Sequence, residues 1–255
     1  MTPKPPAGVT SPLAWFDAFA GPSLNAGLWT PGVAAGYQGG LWNTAGLPSG
    51  CSAVSSKGGD MTSYCDPAEV VFLEGAGLNL YLSASEVPGW QWAAGYLTSK
   101  KPANVLSVWA QLSSADFLWN AIWAMPSGNT SVGEIDFEQG MLWIPGLENK
   151  VPSNKIIATT YHAPSLPGGQ NQVGVQLGLD LSLAVHRYDI IVTPGVSVET
   201  RIDGTRIGYW TEPVPAGPYQ VLIGNQVAAP STSNWHAVGT PVPPAPMYVQ
   251  AAAAW

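Results

Sequence analysis

The sequence is poor in charge. Only 10% of its 255 residues are charged, with 9 Lys and Arg against 16 Asp and Glu, and the net charge is -7. The few basic residues form no cluster, which argues against nucleic acid or an anionic membrane surface as partner. No apolar run approaches the roughly 20 residues of a membrane-spanning helix, so membrane insertion is not expected. The opening Met1–Gly8 lacks the apolar stretch of a signal peptide. The expected location is extracellular or virion-associated, reached either as a mature chain or as part of a phage particle or larger assembly.

Metal-ligating residues are equally scarce. The three histidines, His162, His186 and His236, stand far apart, and the two cysteines have no clustered His beside them, so no zinc pattern is present. There is no Gly-x-Ser-x-Gly elbow, Walker loop or His-Glu-x-x-His. Cys51 and Cys65 flank a loop-like stretch; a disulfide between them would close about 15 residues and contribute roughly 3 kcal/mol. A bridge is the expectation, and a pair of free thiols the alternative.

What the chain has instead is glycine, proline and tryptophan: 29, 24 and 12 residues. Scattered Gly and Pro suit many short strands joined by turns. The length suffices for one large all-β domain burying about 70–75% of its unfolded surface. Residues 1–12 read as a flexible Pro-rich lead-in and 13–255 as a single domain. Alternation predicts a hairpin over Glu69–Ser83, and Val105–Ser113 reads as a further strand. The pair Asp203-Gly204 between alternating runs is a strong hairpin signal.

The charge that exists is concentrated at Gly133–Gly140, Gly-Glu-Ile-Asp-Phe-Glu-Gln-Gly. In a strand, Glu134, Asp136 and Glu138 share one face while Ile135 and Phe137 take the other. Retaining glycoside hydrolysis needs a carboxylate nucleophile and a protonated carboxylic acid roughly 5–5.5 Å apart. Glu134 and Glu138 start about 13 Å apart at their Cα atoms, and their long side chains can lean inward over the shorter Asp136. Like charges disfavour joint ionisation, which lets one Glu stay protonated while another is ionised. The alternative is a half-buried strand whose polar face is simply acidic. Upstream, Leu118–Pro126 places Trp119 and Trp123 on one face. Indoles stack on sugar rings and offer an N–H for hydrogen bonding. Trp119 is the better platform, and Trp123 is read either as sugar contact or as core beneath the acids.

Glu-Ile-Asp-Phe-Glu resembles the motif of glycoside hydrolase family 16, the clan of laminarinases, lichenases, agarases and xyloglucan transglycosylases. Leu118–Pro126 resembles the family's Trp-containing strand before the acids, Val185–Trp210 its hairpin region, and Trp90–Ser99, Lys155–His162 and Val221–Ala228 three more of its strands. The resemblance implies Glu134 as nucleophile, Asp136 as its assistant and Glu138 as general acid/base. It implies His162 near the acid/base, and Asn43 and Asn225 as substrate contacts, with ordinary structural roles as the alternative. Gln111 stands where many relatives carry an Arg directed into the cleft. The implied fold is a β-sandwich of two curved antiparallel sheets, a concanavalin A-like jelly roll with a concave substrate cleft. The implied activity is a retaining endo-glycosidase acting by double displacement on a β-linked polysaccharide, of the β-glucan or galactan class or a bacterial cell-wall glycan. The alternative is a non-catalytic carbohydrate-binding or phage tail adhesion domain. No cofactor is required; family members often hold a structural calcium, whose ligands the sequence does not identify.

Overall fold

The computed structural model describes residues 2–32, 46–53, 61–127, 133–139, 156–162, 171–176, 180–211, 213–214, 216–232, 238–243 and 246–255. Strands dominate, with two three-residue 3-10 turns at Pro67–Glu69 and Pro230–Thr232. No helix among the described residues is long and apolar enough to cross a membrane.

Two large sheets stack face to face. The seven-stranded sheet runs Asn171–Gln176, Ile156–Tyr161, Ile135–Gln139, Trp119–Pro126, Tyr219–Gln226, Tyr96–Ser99, Trp29–Pro31. The eight-stranded sheet runs Thr205–Trp210, Ser197–Ile202, His186–Thr193, Val105–Gln111, Met247–Ala254, Leu78–Leu80, Val70–Phe72, with Trp15–Asp17 pairing at the C-terminal end of Met247–Ala254. Pairing in both is antiparallel. The pleat turns alternate residues inward. Ile122, Phe137 and Ile223 of the first sheet share a core with Val108, Tyr188 and Val249 of the second. This leaves the outer face of the seven-stranded sheet to carry other chemistry.

The predicted hairpins form. Val70 pairs with Leu80 and Phe72 with Leu78, while Asp203 and Gly204 turn at φ 50° and 81°, the twist that a two-residue hairpin loop requires. The predicted strand Trp90–Ser99 instead breaks at Gly95. Its first part, Trp92–Ala94, joins a small third sheet with Ser63–Cys65 and Leu82–Ala84, and Tyr96–Ser99 joins the seven-stranded sheet. A Cβ at Gly95 would lie 2.6 Å from the Glu69 carbonyl oxygen and 2.8 Å from the Leu80 Cα, so a side chain would block the crossing.

Three expectations are corrected. Cys51 and Cys65 are free thiols. Ser52 is the residue opposite Cys65 in an antiparallel bridge, which turns its neighbour Cys51 to the other face. Cys51 therefore joins the Tyr64–Trp90 cluster and Cys65 the Tyr96–Trp119 cluster. Burial, with Asp66 adding to it, pushes the Cys51 thiol up to about 11. The lead-in over residues 1–12 is docked at Pro6–Val9 rather than free: Pro6 is buried, Arg201 Nη1 donates to the Ala7 carbonyl at 2.8 Å, and Val9 packs against Val105, Ala253 and Trp255. Gln111 lies in the eight-stranded sheet and donates to the Ser182 carbonyl at 2.5 Å, so it occupies no position in a cleft on the other sheet.

One close approach shapes the outer face of the seven-stranded sheet. Gly224 stands opposite Tyr96, and a Cβ added at Gly224 would fall within the Tyr96 ring. Gly224→Ala should therefore cost about 1–3 kcal/mol by overpacking. At Gly217, where an added Cβ meets only the Ser127 carbonyl at 3.9 Å, the same change should stay within about 0.5 kcal/mol. Urea unfolding midpoints of the two variants check this, and equal midpoints would show that Tyr96 relaxes freely.

Candidate active site

The strand Ile135–Gln139 lies between Trp119–Pro126 and Ile156–Tyr161. Ile135 and Phe137 are fully buried in the inter-sheet core, so the pleat sends Asp136 and Glu138 to the outer face. Glu134 precedes the strand but continues its ladder. The His162 N–H donates to the Glu134 carbonyl at 2.9 Å, and the Gly133 N–H donates to the His162 carbonyl at 2.6 Å. The structure thus brings Glu134, Asp136 and Glu138 together on one face.

Cross-strand register builds the floor around them. Asp136 stands opposite Trp123 and Thr160, and Glu138 opposite Ala121 and Ala158. One strand further, Leu222 is opposite Trp123, Gly224 opposite Ala121 and Gln226 opposite Trp119. Trp119 and Trp123 are only 5% and 6% exposed, in one cluster with Tyr96, Met125 and Leu222. The Tyr96 hydroxyl accepts a hydrogen bond from Trp123 Nε1, and the Trp119 indole lies beside the Glu138 carboxyl. The expectation of Trp119 as an open stacking platform is corrected: both indoles form the floor on which the acids rest.

The other sequence-predicted residues divide. His162 belongs to the site, with Nε2 3.1 Å from Asp136 Oδ2 and its side chain 29% exposed. Its ladder position opposite Glu134 puts it at the Glu134–Asp136 end rather than beside Glu138. Asn225 does not belong: it pairs in register with Asn120, between the core residue Ile223 and its own neighbour Val227, and its Nδ2 donates to the Leu80 carbonyl of the other sheet at 2.6 Å. It bridges the two sheets. Asn43 lies outside the described residues. Sequence reasoning missed Tyr96, Thr160 and Gln226, all on the acid face. The signal was available in strand parity, since Gln226 shares the face of Leu222 and Gly224.

Burial and mutual repulsion hold protons on the acids. Glu134 is pushed up to about 8, by burial first and then by Asp136, against a smaller downward pull from His162. Asp136, 1% exposed, is raised by burial and pulled back by a hydrogen bond from Glu134. Glu138 is raised well above the ordinary carboxylate range by burial, then by Asp136, with His162 and more weakly Trp119 opposing. The arrangement can therefore hold one shared proton between Glu134 and Asp136 and a second on Glu138. Glu134, Asp136 and His162 also offer ligand atoms within 4.8 Å of one another; the direct His162–Asp136 contact accounts for that closeness without an ion.

Raised acids make stability depend on pH with a definite sign. Between about 4.5 and 8 the folded protein keeps a proton on Glu134 that the unfolded chain has released, so stability falls as pH rises through that window. The melting temperature should drop between pH 5 and pH 8, on the order of 5 °C, and Glu134→Gln should flatten the slope. Thermal unfolding across pH checks it; a melting temperature that rises over the window would show the acids ionised in the free protein.

No family model matches the sequence, and no curated protein matches it either. Solved structures do. The fold is similar to that of a Bacillus licheniformis β-glucanase, with a TM-score of 0.67 and 17% identity over 96% of this chain and 98% of that one. It is similar to an endo-β-1,3-glucanase from Pyrococcus furiosus, with a TM-score of 0.68 and 20% identity over 94% and 92% of the two chains. A glycoside hydrolase family 16 endo-glucanase from Bacteroides ovatus aligns with a TM-score of 0.64 and 16% identity over 93% and 98%. The chain has the jelly-roll β-sandwich fold of these β-glucanases along nearly its whole length.

Proposed function

We propose that the chain is a member of glycoside hydrolase family 16, a retaining endo-glycosidase that hydrolyses a β-linked polysaccharide of the β-glucan class. The observation that supports this best is the row Glu134–Asp136–Glu138 on one face of one strand, resting on indoles in a β-glucanase fold. The seven strands of that sheet contain no Lys or Arg. A polymer bearing carboxylates or sulfates would meet no strand-borne cation there, which favours a neutral glycan.

In the first step Glu138 gives its proton to the glycosidic oxygen as the Glu134 carboxylate attacks the anomeric carbon. The bond from that carbon to the leaving oxygen breaks, and a glycosyl ester forms on Glu134. Asp136, with His162 beside it, retains the proton it shares with Glu134, so that Glu134 carries the charge when it attacks. In the second step Glu138, now a carboxylate, takes a proton from water. The water oxygen attacks the anomeric carbon, and Glu134 leaves. Two inversions at that carbon give net retention.

The test uses mass spectrometry and proton NMR of products from laminarin, mixed-linkage β-glucan, galactan and bacterial wall polysaccharide. Wild type should release oligosaccharides whose new reducing ends are first seen as the β anomer. Glu138→Gln should lose about 10²–10⁴-fold in turnover, and Glu134→Gln should release nothing detectable. α-anomeric first products would overturn retention. Binding by all three proteins with no products from wild type would mark a carbohydrate-binding or adhesion domain.

A further inference from the structure

Gln226 is the last residue of the strand Tyr219–Gln226 and pairs in register with Trp119. Residues directly opposite in an antiparallel pair share a face, so its side chain stands on the acid side, beside the Trp119 indole. The carboxamide is 3% exposed, and its Oε1 is a buried acceptor with no partner. Its neighbour Asn225 faces the core, where its Nδ2 donates to the Leu80 carbonyl at 2.6 Å while its own Oδ1 is likewise without a partner.

A buried polar atom without a partner is rare, because its desolvation is uncompensated. Such an atom beside a row of acids suits a site completed by a ligand. By strand spacing the Cα of Gln226 lies about 12 Å from that of Glu138, two strands across and one side-chain pair along. Between them stand Ala121 and Gly224, with the Tyr96 ring against Gly224 and the Trp119 indole opposite Gln226. A ligand lying across the strands from Glu138 would bring its next polar groups to Gln226.

We infer that Gln226 is a substrate-binding residue whose carboxamide oxygen accepts a hydrogen bond from a hydroxyl of the sugar bound next to the bond that Glu138 protonates. This rests on the reading of the acid row as a glycan-cleaving site. It adds a specificity determinant: a sugar lacking a hydroxyl at that point leaves the oxygen unpaired, and the loss falls on the wrong substrate.

The experiment has two readouts. Gln226→Met keeps the volume and removes the acceptor. Its kcat/KM on the preferred glucan should fall about tenfold or more, while its unfolding midpoint stays level or rises, because the free protein loses an unsatisfied group. A kcat/KM equal to wild type, or a loss of activity matched by a loss of stability, overturns the assignment. The second readout needs no substitution at Gln226: its side-chain amide resonances are followed in Glu134→Gln protein titrated with laminarihexaose and with cellohexaose. Movement of these resonances together with those of Trp119 and His162 supports the assignment. Movement of Trp119 and His162 without Gln226 overturns it alone, and silence of all three with both probes overturns the glycan-site reading beneath it.

Discussion

Three carboxylates two residues apart cannot all be ionised in a place from which water is largely withdrawn, and the architecture of this protein follows from holding them there. Burial raises all three, and Asp136 pushes both glutamates further up. The groups that relieve them are few: His162 at one end, Trp119 at the other, and the hydrogen bond between Glu134 and Asp136. An Arg in the row would neutralise the site and lower every pKa in it. Its absence keeps protons available at neutral pH, which acid catalysis requires.

Precision in such a site comes from rigid strands. The acid strand is hydrogen-bonded on both sides, and its apolar residues are locked into the inter-sheet core. Beneath the acids, Trp123 is oriented by Tyr96, and Tyr96 can lie flat only because residue 224 is glycine. The chain from Gly224 through Tyr96 and Trp123 to Asp136 therefore links a backbone detail in one strand to the position of a carboxylate two strands away. Asn225, immediately next in sequence, reaches the opposite way and ties this sheet to the other.

Period-two alternation made most of this legible. Glu134, Asp136 and Glu138, the Trp pair and the hairpins at Glu69–Ser83 and Asp203-Gly204 follow from side-chain parity and turn chemistry, which are local properties, while the two-sheet sandwich follows from the resemblance. The errors arose where a choice depends on pairing across the chain. Asn225 and Gln226 are adjacent carboxamides at the end of one strand, and a single step in register exchanges their faces. Cys51 and Cys65 have compatible spacing, yet the residue opposite Cys65 is Ser52. Gln111 was assigned to the cleft by similarity, and only the sheet order shows that its strand is in the other layer. The break at Gly95 could not be read from Trp90–Ser99 itself, because the atoms that exclude a side chain belong to Glu69 and Leu80.

Buried polarity lies on both faces of the seven-stranded sheet. Buried polar groups facing the inter-sheet core are only partly paired: Asn120 donates to Gln139 at 2.5 Å and accepts from the Ser113 N–H, and Asn225 donates to Leu80, while the Tyr188 and Tyr219 hydroxyls and Asn225 Oδ1 have no partner. On the outer face, Asp136 has its histidine, while the Thr160 hydroxyl and the Gln226 oxygen are buried with no partner. Packing would favour apolar residues at both positions, since replacing an unsatisfied buried polar group by an apolar one of like shape is neutral or stabilising. Their retention beside the acids makes sense if pairing occurs only with a ligand present. The stability forgone in the free protein then returns as binding energy and discrimination, at the point where a neutral sugar has nothing but hydroxyls to offer.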